Sequence, residues 1–106
     1  MMDYNQLEAL VIEWADNKGI LKNGTPLAQS KKTMEECQEL IDAIEGDYLG
    51  GETRDEIADA LGDILVTIII QAKMQNMSLV ECLEGAYNVI AKRTGKMVNG
   101  QFVKDA

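Results

Sequence analysis

Apolar side chains recur at helical spacing in most of this chain, and turn residues divide it into segments. Leu7, Leu10, Val11 and Trp14 fall three and four residues apart and predict a first helix from about Asp3 to Lys18, stopped by Gly19. Asn23-Gly24-Thr25-Pro26 reads as a loop. Met34, Cys37, Leu40, Ile41 and Ile44 form the apolar stripe of a second helix, from about Gln29 to Asp47, with Gly50-Gly51 as the break after it. Thr53 followed by Glu56 has the spacing of a capping box and opens a third helix that runs to about Met74, with Asn76 at its end. Ser78 and Glu81 make a second box and start a fourth helix, ending near Arg93-Thr94-Gly95. The tail from Met97 to Val103 alternates around Asn99-Gly100 and predicts a short β-hairpin with a type I′ turn. The chain therefore reads as one all-α domain over residues 1–106 with a hairpin tail.

The third helix carries the main ambiguity. Ile64–Ile70 is β-branched and, taken alone, resembles a buried strand; the capping box before it and the length of the periodic segment favour a helix. At ~100° per residue, Ile57, Leu61, Ile64, Leu65 and Ile68 form one stripe, and Asp59 and Asp63 lie opposite. Followed for one and two further turns, the acidic line meets Val66 and Ile70. A helix this apolar on nearly all sides belongs between layers or subunits. An Asp on such a face needs a partner, and a cation satisfies two at once.

Charge and composition narrow the chemistry. The chain is 46% hydrophobic and 26% charged, with 18 Asp and Glu against 10 Lys and Arg, for a net charge of -8. That balance argues against nucleic acid and against a membrane surface as partners. Histidine is absent, which removes a Ser-His-Asp triad, a histidine base and histidine-ligated zinc or di-iron sites. Cys37 and Cys82 lie inside helical patterns without a CxxC partner and read as reduced core residues, as in a cytoplasmic protein. The start of the chain has no basic, apolar leader pattern, and Ile64–Ile70 is too short to span a bilayer.

Carboxylates are the remaining chemistry. Glu36 and Glu39 are three residues apart, and Asp59 and Asp63 are four apart, so each pair shares a helix face. Brought together, they offer an all-oxygen set suited to Mg²⁺, with Mn²⁺ as an alternative. Local readings compete on the second helix: Thr33 with Glu36 has capping-box spacing, and Lys32 with Glu36 has that of a surface ion pair. Glu56 is accounted for by its cap with Thr53. Trp14, the sole tryptophan, sits on an apolar face, where core packing competes with stacking on a base.

Glu35-Glu36-x-x-Glu39, preceded by Lys32 and followed by an acidic helix ending Leu61-Gly62-Asp63-Ile64-Leu65, resembles the MazG-like nucleoside triphosphate pyrophosphohydrolases of the all-α NTP pyrophosphatase superfamily. Ile12-Glu13-Trp14-Ala15, Tyr87-Asn88-x-Ile90-x-Lys92-Arg93-x-Gly95-Lys96-Met97 and Gly100-Gln101-Phe102-Val103-Lys104 extend the likeness to the short phage and Gram-positive type. The resemblance implies an oligomeric four-helix bundle, a homodimer or homotetramer, in the cytoplasm (of the host if phage-encoded). It implies hydrolysis of a nucleoside triphosphate between the α and β phosphates. Glu36, Glu39, Asp59 and Asp63 become the metal ligands, with Glu35 or Glu39 acting on the attacking water. Lys32, Trp14, Asn88, Lys92, Arg93 and Lys96 become substrate contacts. One position departs from the pattern: counted back from Asp63, the Glu of the family's ExxD motif falls on Ala60. Either Asp59 takes over, or Glu56-Ile57-Ala58-Asp59 is the motif. A phosphoribosyl-ATP pyrophosphatase and a non-catalytic helical module are the alternative readings.

Overall fold

The computed structural model describes all 106 residues, in two compact units, Met1–Asn76 and Met77–Ala106. The first holds α1 (Tyr4–Asn17), α2 (Ile20–Asn23), α3 (Pro26–Tyr48) and α4 (Arg54–Met74); the second holds α5 (Leu79–Ile90), β1 (Gly95–Val98) and β2 (Gln101–Lys104). No helix is long and apolar enough to cross a membrane.

Helix α1 starts on a complete capping box: the Asp3 side chain accepts from the Gln6 N–H, and the Gln6 side chain accepts from the Asp3 N–H, both at 2.9 Å. Gly19, at φ 78°, ends it in the left-handed conformation that glycine adopts without penalty. The expected loop before the next long helix is shorter than predicted. Ile20–Asn23 forms one helical turn, and α3 begins at Pro26, with Thr25 as N-cap accepting from the Ala28 N–H at 3.2 Å. Pro26 starts the helix instead of breaking it because the first helical position requires no N–H donor. Thr33 therefore lies inside α3 and caps nothing; its hydroxyl donates to the Gln29 carbonyl and meets the Thr67 hydroxyl at 2.9 Å.

Helices α3 and α4 form an antiparallel hairpin and make the main contact of the first unit. Gln71 Nε2 donates to the Pro26 carbonyl at one end, Gln29 Nε2 to the Thr67 carbonyl next to it, and Thr53 Oγ1 to the Ala43 carbonyl at the other end. The contact is lined by small and polar groups: Gln29, Glu36 and Ala43 are buried at seven-residue intervals on α3, facing buried Ala60 and Thr67 on α4. The face of α4 that packs is thus the one bearing Asp63. The stripe that reads as most apolar in sequence is covered only in part: Ile57, Ile64 and Ile68 are half-buried, while Leu61 and Leu65 are 56% and 42% exposed.

Thr53 corrects the expected cap of α4. Its hydroxyl is spent on Ala43 at 2.8 Å, its backbone is not in the usual cap conformation, and it makes no side-chain cap bond. Glu56 is consequently free of the role that the sequence pattern assigns to it.

In the second unit, Ser78 caps α5 by accepting from the Glu81 N–H. The helix ends at Ile90, and hydrogen-bonded turns continue to Arg93. The hairpin forms as predicted: Lys96 pairs with Val103 and Met97 with Phe102, around Asn99 and Gly100 at φ 50° and 81°. Positive φ at both central residues is the requirement of a type I′ turn. No residue of α5 is buried. Cys82 is exposed and Cys37 half-buried, so Cys82 is not the core residue that its helical pattern suggests.

Candidate metal centre

Glu36 and Glu39 stand on consecutive turns of α3, and Asp63 stands opposite them on α4, held there by the antiparallel contact. One carboxylate oxygen from each of the three lies within 4.8 Å of the others. Glu36 is buried, and Glu39 and Asp63 are exposed at the mouth. Glu36 Oε2 is sealed from solvent and has no hydrogen-bond partner. A buried carboxylate oxygen without a donor is costly, and a cation among these three groups removes that cost. The proximity of Glu36 raises the pKa of Glu39 above its ordinary value, with a smaller contribution from Glu35. Like charges crowded in this way favour the protonated form where no cation lies between them.

Lys32 is the nearest cation, 3.3 Å from Glu35 and 3.4 Å from Glu36. Glu35, then Glu36, raise its pKa. The i,i+4 ion pair expected from the sequence is present, and it coexists with the cluster because only one Glu36 oxygen is engaged. Glu35 is 60% exposed on the outer side of Lys32, outside the cluster.

Asp63 borders three clefts. One, of about 420 Å³, is lined by Glu39, Asp42, Ala43, Glu56, Asp59 and Ala60. Asp59 thus sits on the wall of a cleft shared with Glu39 and Asp63, outside the three-carboxylate set. Glu56 and Asp42 join that wall; Glu56 is the first residue of the alternative motif Glu56-Ile57-Ala58-Asp59, and Asp42 is not among the residues that the sequence reading selects. Asp42 follows Glu39 by three residues, which is a readable signal; the capping-box spacing of Glu56 competes with that motif. Ala60, where the family pattern has Glu, is buried in the contact with α3.

A second, of about 240 Å³, is lined by Trp14, Ile20, Gln29, Lys32, Glu36, Val66, Thr67 and Ile70, and a third, of about 350 Å³, by Leu7, Leu10, Val11, Trp14 and Val66. Trp14 is 48% exposed and forms part of this wall, so it is not a core residue. Asn88, Lys92, Arg93 and Lys96 all belong to the second unit and are exposed.

A helical hairpin that presents an all-oxygen cation set beside an open cleft defines this as a carboxylate-cluster helical protein, with residues that fit a hard divalent ion. The MazG nucleotide pyrophosphohydrolase domain matches residues 25–98, and the chain belongs to that family. It is 31% identical over 80 residues to an uncharacterized 18.2 kDa protein from the rep-hol intergenic region of Haemophilus phage HP1; the match covers 76% of this chain and 46% of the phage protein. The chain thus spans about half the length of that curated relative. No solved structure matches it.

Proposed function

We propose that this protein hydrolyses nucleoside triphosphates, NTP or dNTP, at the α–β phosphate bond, giving the monophosphate and pyrophosphate. The observation that carries this reading is the convergence of Glu36, Glu39 and Asp63, with one Glu36 oxygen buried and partnerless, in a chain of the MazG family. These three residues would hold Mg²⁺, or Mn²⁺ in its place, and Asp59 and Glu56 on the adjoining cleft wall add carboxylates that could share the cation. The bound ion supplies charge neutralisation between the carboxylates and the polyphosphate. Glu39 would accept the proton of the attacking water; Glu35 is turned away towards Lys32 and is the weaker candidate for that step. Lys32 places a point charge against the phosphates. Trp14 stacks on the base.

The working unit in this reading is a homodimer or homotetramer in the cytoplasm. Support comes from the amount of apolar surface left open: α5 buries none of its residues, and Leu83, Tyr87 and Ile90 are each more than half exposed. Surface of this kind marks an interaction face.

The test is pyrophosphate release from a panel of NTPs and dNTPs with Mg²⁺ or Mn²⁺, for the wild type and for Glu39→Ala and Asp63→Ala. Metal-dependent release lost in both folded variants is expected. No release from any nucleotide, with no metal-induced rise in thermal stability, would overturn the reading and favour a non-catalytic module, with buried Ala60 as the lesion.

A further inference from the structure

Gln29 is not explained by the chemistry at the carboxylates. It is nine-tenths buried, yet lines the cleft that also holds Trp14. Its Nε2 donates to the Thr67 carbonyl at 3.3 Å, and Thr67 is in turn held by the Thr33 hydroxyl at 2.9 Å. This ties the amide in one orientation. Its Oε1 accepts from no donor in the chain and is not among the atoms sealed from solvent. The cleft therefore meets a fixed hydrogen-bond acceptor with an indole on its wall.

Position along α3 says what that acceptor can reach. Gln29 precedes Glu36 by two helical turns, or about 10 Å at 1.5 Å per residue. This is the scale of a nucleoside measured from its α-phosphate to the outer edge of its base. Lys32 lies between them on the same cleft. With the phosphate end at the carboxylates, the base edge arrives at Gln29 and its face at Trp14. The outermost group of a pyrimidine is its 4-substituent, and that of a purine its 6-substituent. An amino group there donates to Oε1; an oxo group there sets acceptor against acceptor.

Resting on the nucleotide-hydrolase reading, we propose that Gln29 is a specificity-determining residue that selects nucleotides whose base carries an exocyclic amino group at this edge, cytosine and adenine, over their oxo counterparts. A buried polar group left unpaired by the wrong substrate is the stronger form of discrimination.

Trp14 is the sole tryptophan, so its indole N–H gives one resonance that reports on this cleft without catalysis or metal. The experiment titrates metal-free, ¹⁵N-labelled protein with cytidine, uridine, adenosine and inosine, for the wild type and for Gln29→Leu. Cytidine and adenosine should shift the Trp14 resonance at concentrations about tenfold below those of uridine and inosine. In Gln29→Leu, checked for folding by its amide spectrum, that gap should close. Equal binding of cytidine and uridine by the wild type, or a gap retained in Gln29→Leu, would overturn the proposal; so would the absence of a shift with all four nucleosides. None of these results bears on pyrophosphate release, which tests the hydrolase reading separately.

Discussion

Glu36 and Asp63 face each other across the α3–α4 contact with ligand oxygens within 4.8 Å, and Glu36 Oε2 is buried without a partner. An arrangement of two carboxylates that is unfavourable on its own is stabilised by whatever positive charge lies between them. The carboxylates belong to different helices, so their occupant also clamps the hairpin.

Mg²⁺ should therefore raise the melting temperature, by an amount set by its concentration relative to its affinity and equivalent to about 2.7 kcal/mol at a hundredfold excess over Kd. Glu36→Gln should abolish that rise. It should leave the metal-free melting temperature unchanged or higher, because it removes a buried charge with an unmet oxygen. A large drop for metal-free Glu36→Gln in differential scanning fluorimetry would count against the site.

The same crowding sets a pH dependence. Glu39 has a raised pKa in the folded protein, so the folded state binds a proton more tightly than the unfolded chain. Its contribution to stability is full below the unfolded carboxylate value and is lost as pH rises through the folded one. Metal-free protein should lose stability across that window, and Mg²⁺ should restore it increasingly as pH rises. Glu39→Gln should flatten the metal-free profile. Melting temperatures from pH 4 to 8, with and without Mg²⁺, provide the check.

Thr53 holds the closed end of the hairpin through its 2.8 Å bond to the Ala43 carbonyl. Thr53→Val should cost about 1 kcal/mol, a fall of roughly 4–8 °C in melting temperature for a domain of this size. Thr53→Ser should keep most of the bond. Glu56→Gln, by contrast, should change stability by no more than about 0.5 kcal/mol, because Glu56 has no cap to lose. If Glu56→Gln and Thr53→Val are equally destabilising in urea titration, the capping box exists in solution after all.

Glu56 and Asp59 share a cleft wall with Glu39 and Asp63. Glu56→Gln and Asp59→Asn should each lower pyrophosphate release by about tenfold, corresponding to about 1.4 kcal/mol of transition-state stabilisation. Asp63→Asn should cost far more. Equal losses at Asp59 and Asp63 would make Asp59 a full ligand standing in for the Glu absent at Ala60.

The open apolar surface of α5 should be covered by a second copy. Sedimentation at micromolar concentration should show a dimer or tetramer, and Leu83→Asp should shift it towards monomer. A wild-type monomer at that concentration would remove the oligomer from the reading.

Much of this protein was legible in one dimension. Helical periodicity, Gly19, and the Asn99-Gly100 pair act through backbone preferences within a few residues, so the helices and the hairpin could be read directly. The acidic pairs on α3 and α4 were legible for the same reason, since residues three and four apart on a helix must share a face. Tertiary contact decided the rest. Capping-box spacing at Thr53 was outcompeted by a carbonyl ten residues away, which became available only when α3 and α4 folded back on one another. The closest contact of α4 runs along Ala60 and Thr67, beside Asp63, and leaves Leu61 and Leu65 of the more apolar stripe open, because small Ala43 and Ala60 let the two helices approach on that side. That approach places Asp63 against Glu36 and seals one Glu36 oxygen. It also ties Gln29 to Thr67, 38 residues away, a juxtaposition that no local pattern encodes.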